Sequence, residues 1–331
     1  MRGFVRRLID CKDYYCNISP EAKWLNYKSW IVEELFFAYR KQITVTEQSG
    51  NGLTDYQVLI ELNSTNFDFS HANEDGSDIR FYDGSNFLNY WIEKWDSVNQ
   101  EAKIWIKVPS IPASSSTSFY MYYGNSDVSS ASNGEATFEF FDDFEDGVID
   151  ENKWDLNATV GTWYEENGMM NHQYGSSQNE ALASVGLSIS DNFAIRAKIK
   201  EDNSKDIGHE ISWDGQWSSG RPNQGYLVGW GSGGTERKIV RYDNGAPVTI
   251  LSVDDISPSQ WRVVEVARSG GLIRFYYDET NYDEVNDDTY HHNRFGLYQW
   301  GTHDHGHWDW VLVRKYVDSE PSVSIGDEET P

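Results

Sequence analysis

From Tyr39 onward, apolar and polar positions alternate. In "AKIWIKVP", Ile104, Ile106 and Val108 fall on one side while Trp105 and Lys107 fall on the other; in "YWIEKW", Trp91, Glu93 and Trp95 share a face. Side chains repeat every two residues along an extended backbone, so this is the pattern of half-buried β-strands. The runs "YRKQITVTE", "YQVLIELN", "DIRFYDG" and "SFYMYYGN" continue it, each closed by Gly, Asn, Asp or Ser. Strands this short and this closely spaced predict a sandwich or barrel. The stretch "PSIPASSSTS" reads as a loop in which Pro109 and Pro112 end one strand before Ser116 opens the next.

A second strand-rich set begins at "FEFFDDFEDG" and runs to Tyr316, with "NFAIRAKIK", "HEISWDGQW", "GYLVGWGSG", "WRVVEVAR", "LIRFYYDE" and "WDWVLVRKY" among its members. That density of strands suits a two-sheet jelly roll. Between the sets, "GNSDVSSASNG" marks a domain boundary, and it is too short for a free linker, so the two domains should touch. The predicted class is all-β: a short irregular or helical segment over residues 1–37, a β-sandwich over 38–140, a jelly roll over 141–317 and an acidic tail or linker over 318–331. In the first segment Ser19 is placed to cap a helix starting at Pro20. The tail, "DSEPSVSIGDEETP", is poor in apolar residues and reads as disordered or as a linker.

Composition changes this picture in three places. The chain has 331 residues, enough for two cores, and its 14 Trp and 20 Tyr reinforce β-structure. A formal net charge of -26 repels phosphate backbones and anionic headgroups, which argues against nucleic acid and membrane surfaces as partners and favours neutral polymers and cations. Only Cys11 and Cys16 occur, either a local bridge or free thiols, so the main body has no disulfide framework. No apolar run reaches membrane-spanning length. "MRGFVRRLIDC" is basic but lacks a following apolar stretch, and "SWIVEELFFAY" is interrupted by Glu33 and Glu34. Either the export signal is missing from this start or the chain leaves by another route; sequons at Asn17, Asn63 and Asn157 weigh slightly toward a surface location.

Two resemblances follow from quoted stretches. "YRKQITV", "LTDYQVLIELN", "FDFSHANEDGSDIRFYD", "LNYWIEKWD" and "AKIWIKVPSIPASSSTSFYMYYGN", in order over about residues 39 to 140, resemble the domain of unknown function 2341 family of archaeal and bacterial surface proteins. That resemblance implies a β-sandwich and a surface setting, and no active site comes with it. "FFDDFEDGVIDENKWDL", the hairpin "WRVVEVARSGGLIRFYYDE" and the closing "FGLYQWG" and "HWDWVLVRKY" resemble the concanavalin A-like and laminin G-like jelly rolls. Members of that superfamily range from sugar binders to glycoside hydrolases and lyases, so the fold leaves the function open.

The second resemblance implies specific chemistry. An aspartate in the last strand of such domains helps to hold a structural Ca2+, which points to Asp309 with the segment around Asp142, Asp143 and Glu145; the alternative is a solvated carboxylate on an alternating strand. Laminarinase-type retaining hydrolases carry Glu-x-Asp-x-Glu on one strand. Here "HEISWDGQW" offers Glu210, Ser212 and Asp214, with the central Asp replaced and the last acid shortened, which weakens Glu210 and Asp214 as a catalytic pair. The stretch "THDHGHWDW" would place His303, His305 and His307 on one face if extended, a set able to bind zinc, nickel or copper, but Gly306 favours a turn that scatters them.

Sugar rings stack their C–H faces on indole and phenol. Trp213, Trp217, Tyr226, Trp230, Tyr298 and Trp300, with His303 and His305 at a loop, are therefore the candidate glycan-binding set, although Trp also packs cores. The reading is a cell-surface or secreted, calcium-stabilised, carbohydrate-binding protein without catalysis. A glycoside hydrolase or polysaccharide lyase using Glu210 and Asp214 is the first alternative, and a structural module of a cell envelope or appendage the second.

Overall fold

The computed structural model describes residues 37–173, 179–188, 191–202, 206–218, 220–231, 233–255, 257–277, 279–300 and 306–331. Cys11, Cys16, the Ser19 cap, His303 and His305 lie outside the described residues. The fold is all-β, and no described helix is long and apolar enough to cross a membrane.

The first domain pairs two sheets. One is four-stranded, in the order Ser322–Glu329, Tyr39–Thr46, Ser116–Tyr123, Arg80–Tyr82, and the other three-stranded, in the order Leu53–Asn63, Glu101–Ile111, Tyr90–Asp96. Ile43, Val58, Ile60, Phe81, Ile104, Ile106 and Met121 meet between them. Alternation therefore does what it predicts: Ile104 and Ile106 point inward and Trp105 points out. It fails at Trp95. The ladder with Glu101–Ile111 slips between Ile92 and Lys94, and this bulge turns Trp95 away from Trp91 and Glu93 and onto Phe67 and Phe69 in the core. Pro109 does not end its strand, which continues to Ile111 against Leu53.

The tail is corrected as well. Ser322–Glu329 is a strand, antiparallel to Tyr39–Thr46, with Val323 opposite Val45 and Ile325 opposite Ile43. Val323 and Ile325 pack on the first core, so two alternating apolar residues were enough to recruit an otherwise acidic segment. The jelly roll is thus inserted between two strands of the first domain.

The second domain stacks two larger sheets. The six-stranded sheet runs Glu180–Ala183, Arg294–Trp300, Asp206–Trp213, Gln224–Gly231, Glu236–Asp243, Ala246–Asp254. The eight-stranded sheet has Asn192–Glu201 and Gly306–Lys315 at its centre, with Phe140–Asp142 paired to the latter. Ile195, Ile207, Ile211, Val228, Leu297, Trp308 and Val311 fill the space between the sheets. The hairpin Arg262–Ser269 to Leu272–Tyr276 turns where Gly270 takes φ +57, a left-handed conformation suited to glycine.

The eight-stranded sheet's outer face lies against the three-stranded sheet of the first domain. Trp91, Trp105, Phe138, Phe141, Trp310 and Leu312 form the apolar centre of this contact. Around it, the buried Arg196 donates Nε and Nη2 to Glu93 at 2.9 and 2.8 Å and also reaches Glu279 at 2.6 Å, while Arg314 pairs with Glu265 at 2.7 Å and Glu320 at 2.5 Å. The Trp105 indole donates to Glu93 at 2.7 Å. With that face covered, the outer face of the six-stranded sheet is the jelly roll's remaining broad surface.

Candidate functional site

Register places Asp206, Gly208 and Glu210 on the outer face of the six-stranded sheet, opposite Trp300, Tyr298 and Gly296 on one side and, for the latter two, Gly229 and Leu227 on the other. Ile207, His209 and Ile211 point into the core. The two glycines are required: a Cβ on Gly208 would run into the Val228 carbonyl, and one on Gly229 into the Ile207 carbonyl. The strands therefore approach closely in mid-sheet.

Glu210 is fully buried on this face, and neither carboxyl oxygen has a hydrogen-bond partner among the described residues. Burial pushes its carboxyl well above the ordinary range, so it is held as the neutral acid. The Trp213 ring lies within 3.4 Å of where a Gly296 side chain would start, and so covers the space beside Glu210. Tyr298, Leu227, Val240 and Tyr242 pack together on the same face with Trp300 against them. Tyr298 donates its hydroxyl to Asn179 at 3.0 Å, and Asn179 donates in turn to the Gly220 carbonyl at 3.1 Å, tying down the Trp217–Pro222 hairpin. Burial raises the Tyr242 hydroxyl, Glu210 raises it further, and Arg221 on that hairpin opposes them. Next to Glu210 but facing inward, His209 is depressed to about 3 by burial and stays neutral.

Glu210 and Asp214 do not share one face of a regular strand. The ladder slips between Glu210 and Trp213, and Ser212 sits at φ +46, so the phase of the strand changes. Ser212 turns inward, where its hydroxyl accepts from the buried Arg268 at 2.7 Å. Asp214 closes a turn instead: it accepts from the Gln216 backbone N–H at 3.0 Å and from the Asn223 amide at 2.7 Å. Two other carboxylates of the face are also engaged. Asp206 accepts from the Gly233 and Gly234 N–H groups at 2.6 and 3.1 Å, and Glu236 is held by Lys238 at 3.0 Å and Ser252 at 2.6 Å.

The predicted aromatic set divides. Tyr298, Trp300, Trp213 and Trp217 belong to the outer face and its edge; Trp213 is fully buried and meets Trp217 edge-on at 5.4 Å, while Trp217 and Trp300 remain half-exposed. Tyr226 and Trp230 do not belong there. Odd and even positions of Gln224–Gly231 face opposite ways, so Tyr226 and Trp230 enter the core, where Tyr226 donates to Asp287 at 2.8 Å and Trp230 packs edge-on to Phe275 at 5.1 Å. Tyr242, Asn179 and Arg221 were missed. Tyr242 was legible as the partner of Val240 in an alternating run; Asn179 and Arg221 come from turns, which carry no periodic signal.

The carboxylates named for calcium do not converge. Asp309 Oδ2 accepts from the Lys198 ammonium at 2.8 Å, Asp142 accepts from the Trp154 indole at 2.7 Å, and Asp143 and Glu145 are exposed. Calcium takes about six to eight oxygens, and among the described residues no three His, Cys, Asp or Glu side chains are grouped to hold a metal. Lys198 already neutralises the last-strand aspartate. His307 is likewise engaged, by Asn171 at 2.6 Å and Asp202 at 3.1 Å.

A family model described as a domain of unknown function, DUF2341, matches residues 75–157, which begin within the first domain and cross into the start of the second. No curated protein shows significant similarity. Among solved structures, the carbohydrate-binding module CBM66 from Bacillus subtilis aligns at 16% identity over 53% of this chain and 96% of its own, with a TM-score of 0.38. The laminarinase catalytic domain from Thermotoga petrophila aligns at 13% identity over 55% and 98%, TM-score 0.40, and the β-glucanase of Bacillus licheniformis at 13% over 53% and 97%, TM-score 0.37.

Proposed function

We propose that this chain is a carbohydrate-binding protein, secreted or displayed at a cell surface, that takes its glycan on the outer face of the six-stranded sheet and does not cleave it. The observation carrying the reading is the state of the carboxyls around the centre of that face: Glu210 is buried without a partner among the described residues, while Asp206, Asp214 and Glu236 are each bonded to backbone or side-chain donors. Glycoside hydrolysis of the usual kind needs two working carboxyls about 5–5.5 Å apart for retention or about 6.5–9.5 Å for inversion. One neutral acid does not supply them. Binding needs less: half-exposed indoles for stacking, here Trp300 and Trp217, with Arg221 on the Trp217 hairpin to orient hydroxyls.

Soluble polysaccharides and a glycan array test this directly. Binding is expected without release of reducing ends or unsaturated products, and Trp300→Ala should weaken it about tenfold, near 1.4 kcal/mol. Product release would establish the hydrolase or lyase alternative. An array without any binder would favour the envelope module.

A further inference from the structure

One large cavity of the molecule is not on that face. It is a cleft of about 810 Å³ between the domains, within the ~300–1,000 Å³ typical of small-molecule sites. Its floor is apolar where Val263 and Trp310 of the second domain line it. Its walls are charged but balanced: four cations line it with four carboxylates, in a chain whose formal net charge is -26. Three of the cations are already paired, Lys103 with Glu279 at 2.5 Å, Lys94 with Glu101 at 2.6 Å and Lys198 with Asp309 at 2.8 Å. The fourth, Arg262, is exposed and, among the described residues, reaches the Tyr277 carbonyl at 3.5 Å. Next to it in the chain stands Trp261, 37% exposed, with the Lys198 ammonium 5.4 Å from its ring centre.

These features select a ligand chemistry. An anionic chain would have to compete with Glu61, Glu101 and Glu279 for lysines, and a cationic one with the lysines for carboxylates, so neither sign gains. Alternating donors and acceptors on both walls suit a neutral ligand bearing many hydroxyls, and the exposed Trp261 ring beside Arg262 and Lys198 offers a surface to its C–H faces. The walls are held at fixed spacing, because Arg196 with Glu93 and Lys103 with Glu279 join the domains just beside the cleft. We propose that the interdomain cleft is a second binding site, for a neutral oligosaccharide, built jointly by the two domains and separate from the outer face of the six-stranded sheet.

The test uses the full chain, titrated by calorimetry with hexasaccharides of glucose, xylose and mannose and with an oligogalacturonate of equal length. At least one neutral chain should bind, with affinity reduced tenfold or more by Arg262→Ala and by Glu61→Trp, which inserts a ring into the cleft from an exposed position. Trp300→Ala should leave this component intact, which separates it from binding on the outer face. Unchanged affinity in both cleft variants, preference for the oligogalacturonate, or no neutral binder would each overturn the proposal. Unchanged melting temperature of the two variants shows that any loss comes from the site.

Discussion

Glu210 and His209 are adjacent, both fully buried, and face opposite sides of one strand, and their shifts have opposite consequences for pH. Glu210 is raised from 4.5, so above that pH the unfolded chain loses a proton that the folded chain keeps, and stability falls as pH rises. His209 is depressed from 6.5 to about 3, so below 6.5 the unfolded chain gains a proton that the folded chain does not, and stability falls as pH drops. Between 4.5 and 6.5 the two slopes cancel. Each acts at up to about 1.4 kcal/mol per pH unit. Chemical denaturation of Glu210→Gln across pH 4 to 9 should therefore lose the alkaline decline that the unmodified chain shows above 6.5, and His209→Leu should lose the acid decline. Parallel profiles for all three proteins would mean that neither group is held neutral.

At the scale of elements, the C-terminal strand is the most exposed to test. It covers the edge of Tyr39–Thr46, and without it that strand presents unpaired backbone groups to solvent. Ile325 is only partly buried, so Ile325→Ala should cost about 1–2 kcal/mol, less than the ~2–5 of a fully buried site. Truncation after Pro321 should lower the melting temperature further and produce oligomers on size exclusion; a monomer of unchanged melting temperature would show the strand to be dispensable. This strand also marks the limit of what was legible. Strand existence, the Gly270 hairpin, the inward Ile104 and Ile106 and the contact between domains follow from alternation and turn residues, because burial on one face forces a period of two. The slips at Ile92–Lys94, Glu210–Trp213 and Lys198–Ile199 do not, because a bulge adds one residue and reverses every face beyond it. That single effect misplaced Trp95, Ser212 and Asp214. The pairing of Asp309 with Lys198 was not legible for another reason: the two lie 111 residues apart and no local pattern announces the contact.

At the scale of the whole molecule, insertion of the jelly roll between two strands of the first domain changes how the chain should unfold. Both connections, near Phe138 and near Val317, enter the same interface, and Glu320 beyond the second connection pairs with Arg314 and accepts from the Tyr56 hydroxyl at 3.0 Å. Neither domain can detach without exposing Trp105, Trp310 and a set of buried charges. Those charges are costly to separate: removing one partner of a buried pair typically costs about 3–5 kcal/mol, because the other is left without compensation in a dry site. Glu93 is the sharpest case, since it serves both Arg196 and the Trp105 indole. Calorimetry of the unmodified chain should show one cooperative transition, and Glu93→Ala should lower it by roughly that 3–5 kcal/mol or split it in two as the domains uncouple. The same variant should abolish binding in the interdomain cleft, whose wall Glu93 lines, while leaving binding at Trp300 in place. If Glu93→Ala melts as one unit at the original temperature, the ion pairs do not hold the domains together, and the apolar contact of Trp91, Trp105 and Trp310 must suffice on its own.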